Sequence, residues 1–333
     1  GQGDEDRELW ARWLGLTRHP RYLTALPDQD RRLAWAELVF SVIEGIGFSM
    51  GDLLRQRSAE NADRVLFQDL KETGAGAWTY AQVLQRVRSM AAVFLKEGTA
   101  RDDSERPAAG PGPRLALLCE NGIGGACSDL ACLTHDIFVT PLNVHFNTDN
   151  LAWIFDRLDI TAAVCDHPDR LEKLLGVRER TRRKFRIFTL NDCSRAGQDD
   201  IWLLEERRNL LAPEEVDALL ADRPRMSMRD TATVMFTSGS TGRPKGVAFN
   251  QQNLVSKRFA RAAALPEVGR DEVMLCYLPL FHTFGRYLEL LGTIFWGGTY
   301  VFSGNPSAEA LLAQFQLVRP TALISVPIRW VQI

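Results

Sequence analysis

The stretch Thr237-Ser238-Gly239-Ser240-Thr241-Gly242-Arg243-Pro244-Lys245-Gly246 directly follows the apolar run 232–236. Such a run reads as a buried strand, and the glycine-rich stretch after it as a loop at the strand's mouth. Gly239 and Gly242 let the backbone turn so that successive N–H groups face an anion. The hydroxyls of Thr237, Ser238, Ser240 and Thr241 add donors that can follow phosphate oxygens, and Lys245 sets a point charge against them. A plain Gly/Ser/Thr linker shares part of this composition, but linkers rarely end in Pro-Lys-Gly at the mouth of a buried strand. Two other phosphate motifs fit less well. A Walker A loop needs Gly-Lys-Ser/Thr in sequence, whereas Pro244 precedes Lys245 and Gly246 follows it. A dinucleotide pattern opens at Gly122-Ile123-Gly124-Gly125, but Cys127 holds the place of the third glycine and no acid ends the next strand near Val139. A tight strand-to-helix turn explains those glycines better.

Working outward from the loop, short β-branched or apolar runs recur at 115–119, 162–165, 185–190, 273–277, 299–302 and 322–326. Helix-period segments lie between several of them, including Leu151, Ala152, Ile154, Phe155 and Leu158, and Leu311, Leu312, Phe315 and Val318. This alternation predicts an α/β fold of mostly parallel sheets flanked by helices, in two closely packed subdomains. The polar, proline-containing stretch 213–230 is the best candidate boundary. It divides the chain into a helical extension (1–47), a first α/β subdomain (48–227) and a second carrying the loop (228–333). Thr79-Tyr80-Ala81-Gln82 is a capping-box pattern opening a helix that Gly98 closes. Within the extension, residues 39–50 are apolar enough to dock on the main body.

Composition narrows the class. The 333 residues are 45% hydrophobic and 25% charged with net charge -2, so no global basic field argues for nucleic acid. The basic run from Arg178 to Arg186 reads as a solvated helix end rather than a polyanion site. Six cysteines include no CxxC pair, and the five histidines are scattered, so neither a zinc site nor a disulfide framework is expected. A reducing, cytoplasmic setting fits free thiols. No run of about 20 uncharged apolar residues suggests a transmembrane helix, and no basic-then-apolar segment opens the chain.

Thr237 to Gly246 resembles the signature phosphate loop of the adenylate-forming (AMP-binding) superfamily, which includes acyl-CoA synthetases, luciferases and peptide-synthetase adenylation domains. Other stretches agree with that family in order: Trp78-Thr79-Tyr80, Thr140-Pro141-Leu142-Asn143, Tyr277-Leu278-Pro279-Leu280-Phe281-His282-Thr283-Phe284-Gly285, Arg319-Pro320-Thr321 and Ser325-Val326-Pro327. The likeness runs from about residue 48 onward and is strongest to long-chain fatty acid–CoA ligases. It implies a two-step reaction. A carboxylate attacks the α-phosphorus of Mg-ATP to give an acyl-adenylate and pyrophosphate, and coenzyme A then takes the acyl group. It further implies that Thr237, Ser238, Gly239, Ser240, Thr241, Gly242 and Lys245 hold the triphosphate, with Lys245 also stabilising charge on the leaving pyrophosphate. The family's Tyr-Gly-x-Thr-Glu adenine and magnesium motif, its ribose-binding aspartate and its C-terminal lid with a catalytic lysine would follow Ile333. The chain is therefore expected to be a fragment, inactive by itself.

The resemblance also places an acid site at the 277–285 motif. His282 can be a polar residue starting the helix after Pro279, or, as the family implies, a polar tip beside the carboxylate with Phe281 and Phe284 as a wall. Arg286 resembles a basic residue seen there in long-chain synthetases, and a solvated helix position explains it equally. Peptide-synthetase domains carry an aspartate in this motif for the substrate ammonium. None stands at 281–285, and burying an unpaired ammonium is costly. An apolar acid is expected, a fatty acid first, with Tyr287, Leu288, Leu290, Leu291, Ile294, Phe295 and Trp296 either lining an acyl channel or filling the core. Three classes stay open: an acyl-CoA synthetase, another adenylating enzyme such as a fatty acyl-AMP or aryl-acid ligase, and a nucleotide-binding fragment without activity.

Overall fold

The computed structural model describes residues 2–71, 76–99, 112–192, 197, 200–237 and 242–332. Within them lie eleven strands: β1 (Val65–Asp69), β2 (Ala77–Thr79), β3 (Arg114–Leu118), β4 (Phe138–Pro141), β5 (Ala162–Cys165), β6 (Arg186–Thr189), β7 (Ile201–Leu203), β8 (Thr231–Thr237), β9 (Lys245–Asn250), β10 (Val273–Cys276) and β11 (Thr299–Phe302). Seven form one sheet in the order β7-β6-β5-β3-β4-β8-β9, parallel except for the antiparallel edge pair β8–β9. Four form the other in the order β10-β11-β1-β2, with β1–β2 antiparallel. The α/β class and the mostly parallel sheets are as the alternation predicts.

The division of the chain differs. β8 and β9 lie beyond the expected boundary at 227/228 yet complete the large sheet, and β1 and β2 lie before it yet belong to the small sheet beside β10 and β11. Hydrogen-bond ladders join residues far apart in sequence, so no cut in the chain separates the sheets.

Strand side chains alternate between two cores. Leu115 and Leu117 face one cluster, and Ala116 and Leu118 face another across the same sheet. In the small sheet Tyr300 and Phe302 face the first cluster and Val301 a third. Period-2 alternation with both faces apolar is what a parallel sheet covered on both sides demands. The first cluster lies between the sheets, where helices Tyr80–Glu97 and Ile123–Thr134 fill the gap. Helices Thr148–Leu158 and Pro168–Thr181 cover the outer face of the large sheet, and Ala308–Val318 that of the small one.

Local signals set several of these elements. Thr79 Oγ1 accepts the Gln82 N–H (3.3 Å) and Gln82 Oε1 accepts the Thr79 N–H (2.8 Å), completing the capping box. The N-terminal extension is helical, over Gln2–Thr17, Pro20–Leu23 and Gln29–Ile46, and its Leu14, Trp35, Val39 and Ile43 enter the inter-sheet core. The Trp35 ring packs tilted against that of Phe259 (centroids 6.3 Å apart), and Trp35 Nε1 donates to Thr17 Oγ1 (2.6 Å). The run 322–326 is not a strand; its one pairing is a bridge between Met274 and Ala322. Among the described residues no disulfide forms, and burial pushes the Cys127 thiol up to about 12. No single helix among the described residues is long and apolar enough to cross a membrane.

Candidate functional site

Parallel strands deliver their carboxyl ends to one edge of a sheet, and crevices at that edge are where α/β folds hold ligands. Here the two sheets meet in such a crevice of about 230 Å³. Glu120 and Asn121 follow β3, Val144 and His145 follow β4, Tyr277, Pro279 and Phe281 follow β10, Ser303, Gly304 and Pro306 follow β11, and Lys71 follows β1. The 277–285 motif therefore forms one wall.

Hydrogen bonds hold that wall in place. Asn121 Nδ2 donates to the Leu278 carbonyl (2.8 Å), and Asn121 Oδ1 accepts the Leu280 N–H (2.9 Å). Both ends of one amide are spent on the backbone of the motif, which fixes the amide's orientation. The Tyr277 hydroxyl lies 2.6 Å from Ser325 Oγ and accepts the Val326 N–H (3.4 Å), drawing the 325–327 segment to the same wall. Neither Asn121 nor Lys71 stands out in the sequence, because each acts from a turn whose position depends on the other sheet.

Beyond the wall the chain enters a π-helix, Phe284–Leu290, continued by the α-helix Leu291–Trp296. Phe281 lines the cleft, with its ring centroid 5.0 Å from that of His282. His282 is exposed, its N–H donating to the Pro279 carbonyl (3.0 Å), and Phe284 is 49% exposed.

Arg286 departs from the expectation of a substrate contact or a solvated position. It is fully buried. Its Nε donates to Asp129 Oδ2 (2.7 Å), Nη2 to Asp129 Oδ1 (2.5 Å) and Nη1 to Thr233 Oγ1 (2.7 Å). Burial alone pulls the guanidinium pKa down, and the adjacent Asp129 carboxylate more than offsets this, leaving it above the ordinary arginine value. Two features of the sequence bring it inside: the turn of the π-helix and an acid in helix Ile123–Thr134, far off in the chain. The apolar residues expected around an acyl channel also turn inward. Tyr287, Leu290, Leu291, Ile294, Phe295 and Trp296 belong to the inter-sheet core. Glu289 is buried with them, and burial holds its carboxyl well above the ordinary carboxylate range.

The glycine-rich loop sits in the β8–β9 hairpin. Ala232 to Phe236 are buried, whereas Thr237 and Lys245 emerge as the last pair of the ladder, both exposed. Thr237 Oγ1 donates to the Lys245 carbonyl (3.5 Å). Gly242 has φ +85°, the left-handed region that glycine enters without strain. Ser238, Gly239, Ser240 and Thr241 lie outside the described residues. β8 runs parallel to β4, so the loop leaves the large sheet at the same edge as the cleft. No three His, Cys, Asp or Glu side chains converge as metal ligands among the described residues.

Comparison with known proteins agrees with this architecture. The long-chain-fatty-acid–CoA ligase 5 of Rattus norvegicus is 24% identical over 259 residues, which is 75% of this chain and 36% of the relative. Among solved structures, ATP-bound MatB from Rhodopseudomonas palustris superposes with a TM-score of 0.67 at 20% identity, over 85% of this chain and 50% of that one. A benzoate CoA ligase from Burkholderia xenovorans LB400 gives 0.68 at 17% identity, over 86% and 51%. At those identities the structural likeness speaks for the fold. The chain thus spans little more than a third of the curated relative and half of the structural neighbours. A family model described as AMP-binding enzyme matches residues 54–333, and the chain belongs to that family.

Proposed function

We propose that this chain supplies the phosphate loop and the acid-binding wall of an enzyme that activates a carboxylic acid with Mg-ATP and passes the acyl group to coenzyme A. The observation that carries the reading is that the hairpin holding Thr237 and Lys245 and the cleft lined by Phe281 open at the same edge of the large sheet. In this reading the Thr237–Gly242 amides and hydroxyls and the Lys245 ammonium hold the triphosphate. They stabilise the charge that builds on pyrophosphate as the carboxylate attacks the α-phosphorus. Magnesium arrives on the nucleotide as part of the substrate. His282, exposed beside Phe281 within that wall, offers the substrate carboxylate a polar tip, with Phe284 at its rim.

For the acid, the absence of an acidic side chain at 281–285 argues against amino acids, and the relative named for long-chain fatty acids supports an apolar chain. A second reading, an aryl acid, has its own support. The cleft of about 230 Å³ is smaller than the usual ligand pocket of roughly 300–1,000 Å³. It is walled by an aromatic ring, and the residues after the motif fill the core instead of lining a channel. Delivery to a carrier protein in place of coenzyme A fits the same cleft.

The test is acid-dependent pyrophosphate release by the full-length protein across fatty, aryl and amino acids, with Lys245→Ala alongside. Fatty or aryl acids should turn over ahead of amino acids, and Lys245→Ala should lower kcat/KM for ATP on the order of 10²-fold with an unchanged melting temperature. Preference for amino acids, or unaltered ATP kinetics in the variant, would discard the reading.

A further inference from the structure

The Arg286 guanidinium joins three elements of different origin. Its own π-helix follows the acid wall, Asp129 lies in the helix between the sheets, and Thr233 lies in β8, four residues before Thr237. All three side chains are buried, Arg286 and Thr233 completely and Asp129 to 3% exposure. The Thr233 hydroxyl donates to the Val139 carbonyl of β4 (2.6 Å) and accepts from Arg286, so every atom of the link has a directed role.

Stability alone is a poor reason for this arrangement. Taking two charges out of water costs roughly what their attraction returns, and an apolar pair of similar volume is often as stable. What the arrangement supplies is direction. A planar fork bound at both carboxylate oxygens and at a third acceptor admits one orientation, which apolar packing does not impose. Here that orientation sets the segment behind Phe281 and His282 against the strand that launches the phosphate loop. We infer that Asp129, Arg286 and Thr233 are positioning residues that hold the acid wall in register with the phosphate loop, so that bound carboxylate and α-phosphorus meet at attack distance. The inference rests on the functional reading above. None of the three is a catalytic residue.

A device of this kind acts on the meeting of two bound reactants and not on the binding of either. Small misplacements cost rate steeply while leaving ground-state affinity alone. The experiment is steady-state acid-dependent ATP–pyrophosphate exchange in the full-length protein, with melting temperatures measured in parallel. The double variant Asp129→Leu/Arg286→Met removes both charges together, which avoids the uncompensated buried charge of either single change. Thr233→Val removes only the hydroxyl, and Thr233→Ser restores it. We expect kcat to fall by about tenfold or more in the double variant and by about threefold in Thr233→Val, with both KM values within about twofold of wild type and Thr233→Ser recovering wild-type kcat. Wild-type kcat in the folded double variant overturns the inference, as does a raised KM at unchanged kcat. Should the double variant not fold, the Thr233 pair decides by the same criterion. A wild-type protein inactive with every acid of the panel removes the functional reading and this inference together, whereas an active wild type with unaffected variants removes the inference alone.

Discussion

His135, just past helix Ile123–Thr134, illustrates how burial overrides a residue's ordinary chemistry. It is 8% exposed, with Nδ1 2.9 Å from Thr134 Oγ1 and 3.2 Å from the Ala131 carbonyl. Burial first and the Arg223 charge second bring its pKa down to about 3, so the folded protein keeps the imidazole neutral. An unfolded chain binds the proton near pH 6.5, and the folded one refuses it until about 3. Stability from this residue is therefore complete above 6.5 and is lost as pH falls through the window between the two values. Between pH 7 and 5, urea unfolding should show wild type losing about 2 kcal/mol relative to His135→Gln. A difference independent of pH would mean that the folded protein protonates this imidazole normally. Lys245 is the contrasting case: exposed at the end of a ladder, with its candidate role legible from its neighbours in sequence alone.

At the scale of elements, the capping box at Thr79 and Gln82 was readable because all its partners lie within one turn. The π-helix was not. Gly285, near the start of its 284–290 turn, packs so closely that an added Cβ would stand 2.3 Å from the Pro279 carbonyl oxygen and 2.5 Å from that of Leu278. Both are backbone atoms already engaged, the Leu278 carbonyl by Asn121 and the Pro279 carbonyl by the His282 N–H. The Gly285→Ala variant should therefore lose about 1–3 kcal/mol of stability, read as a lowered denaturant midpoint at unchanged slope. An unshifted midpoint would show that the 278–279 backbone moves aside freely. Local periodicity carries no record of this contact, since a helical run of Tyr287, Leu288, Leu290 and Leu291 looks alike whether its next bond is to the fourth residue or the fifth. The run 322–326 fails for the related reason that β-branched composition favours a strand only where an edge is offered. One bridge to Met274 is all that forms there.

At the scale of the molecule, the interleaving of the sheets governs how the chain folds. β1 packs beside β11, and Phe67 meets the Tyr300 and Phe302 rings at 6.0 and 5.5 Å. β4 pairs with β8, more than ninety positions away. A piece comprising residues 48–227 would leave β1 with only β2, expose the edge of β4 and strip away the part of the inter-sheet core that residues such as Trp35, Phe259, Phe295 and Tyr300 supply. Unpaired edges and uncovered apolar faces favour association. Expressed alone, this piece should show no cooperative urea transition and should be degraded by protease under conditions that spare the 333-residue chain. A cooperative, protease-resistant 48–227 piece would restore the boundary read from the polar stretch 213–230.

Neighbouring residues alone carry the α/β class, through strand alternation, and the glycine- and hydroxyl-rich stretch from Thr237 to Gly246 through which the chain resembles adenylate-forming enzymes. The sequence also singles out the 277–285 motif, whose Tyr277, Pro279 and Phe281 line the cleft. The folded chain alone shows that the expected subdomain boundary crosses both sheets, that Arg286 binds Asp129 and Thr233, and that Asn121 clamps the cleft wall. Each of these depends on pairing between residues more than fifty positions apart. Composition and spacing register which side chains a segment offers, while the partner of a buried charge or amide is chosen by the packing that brings distant segments together.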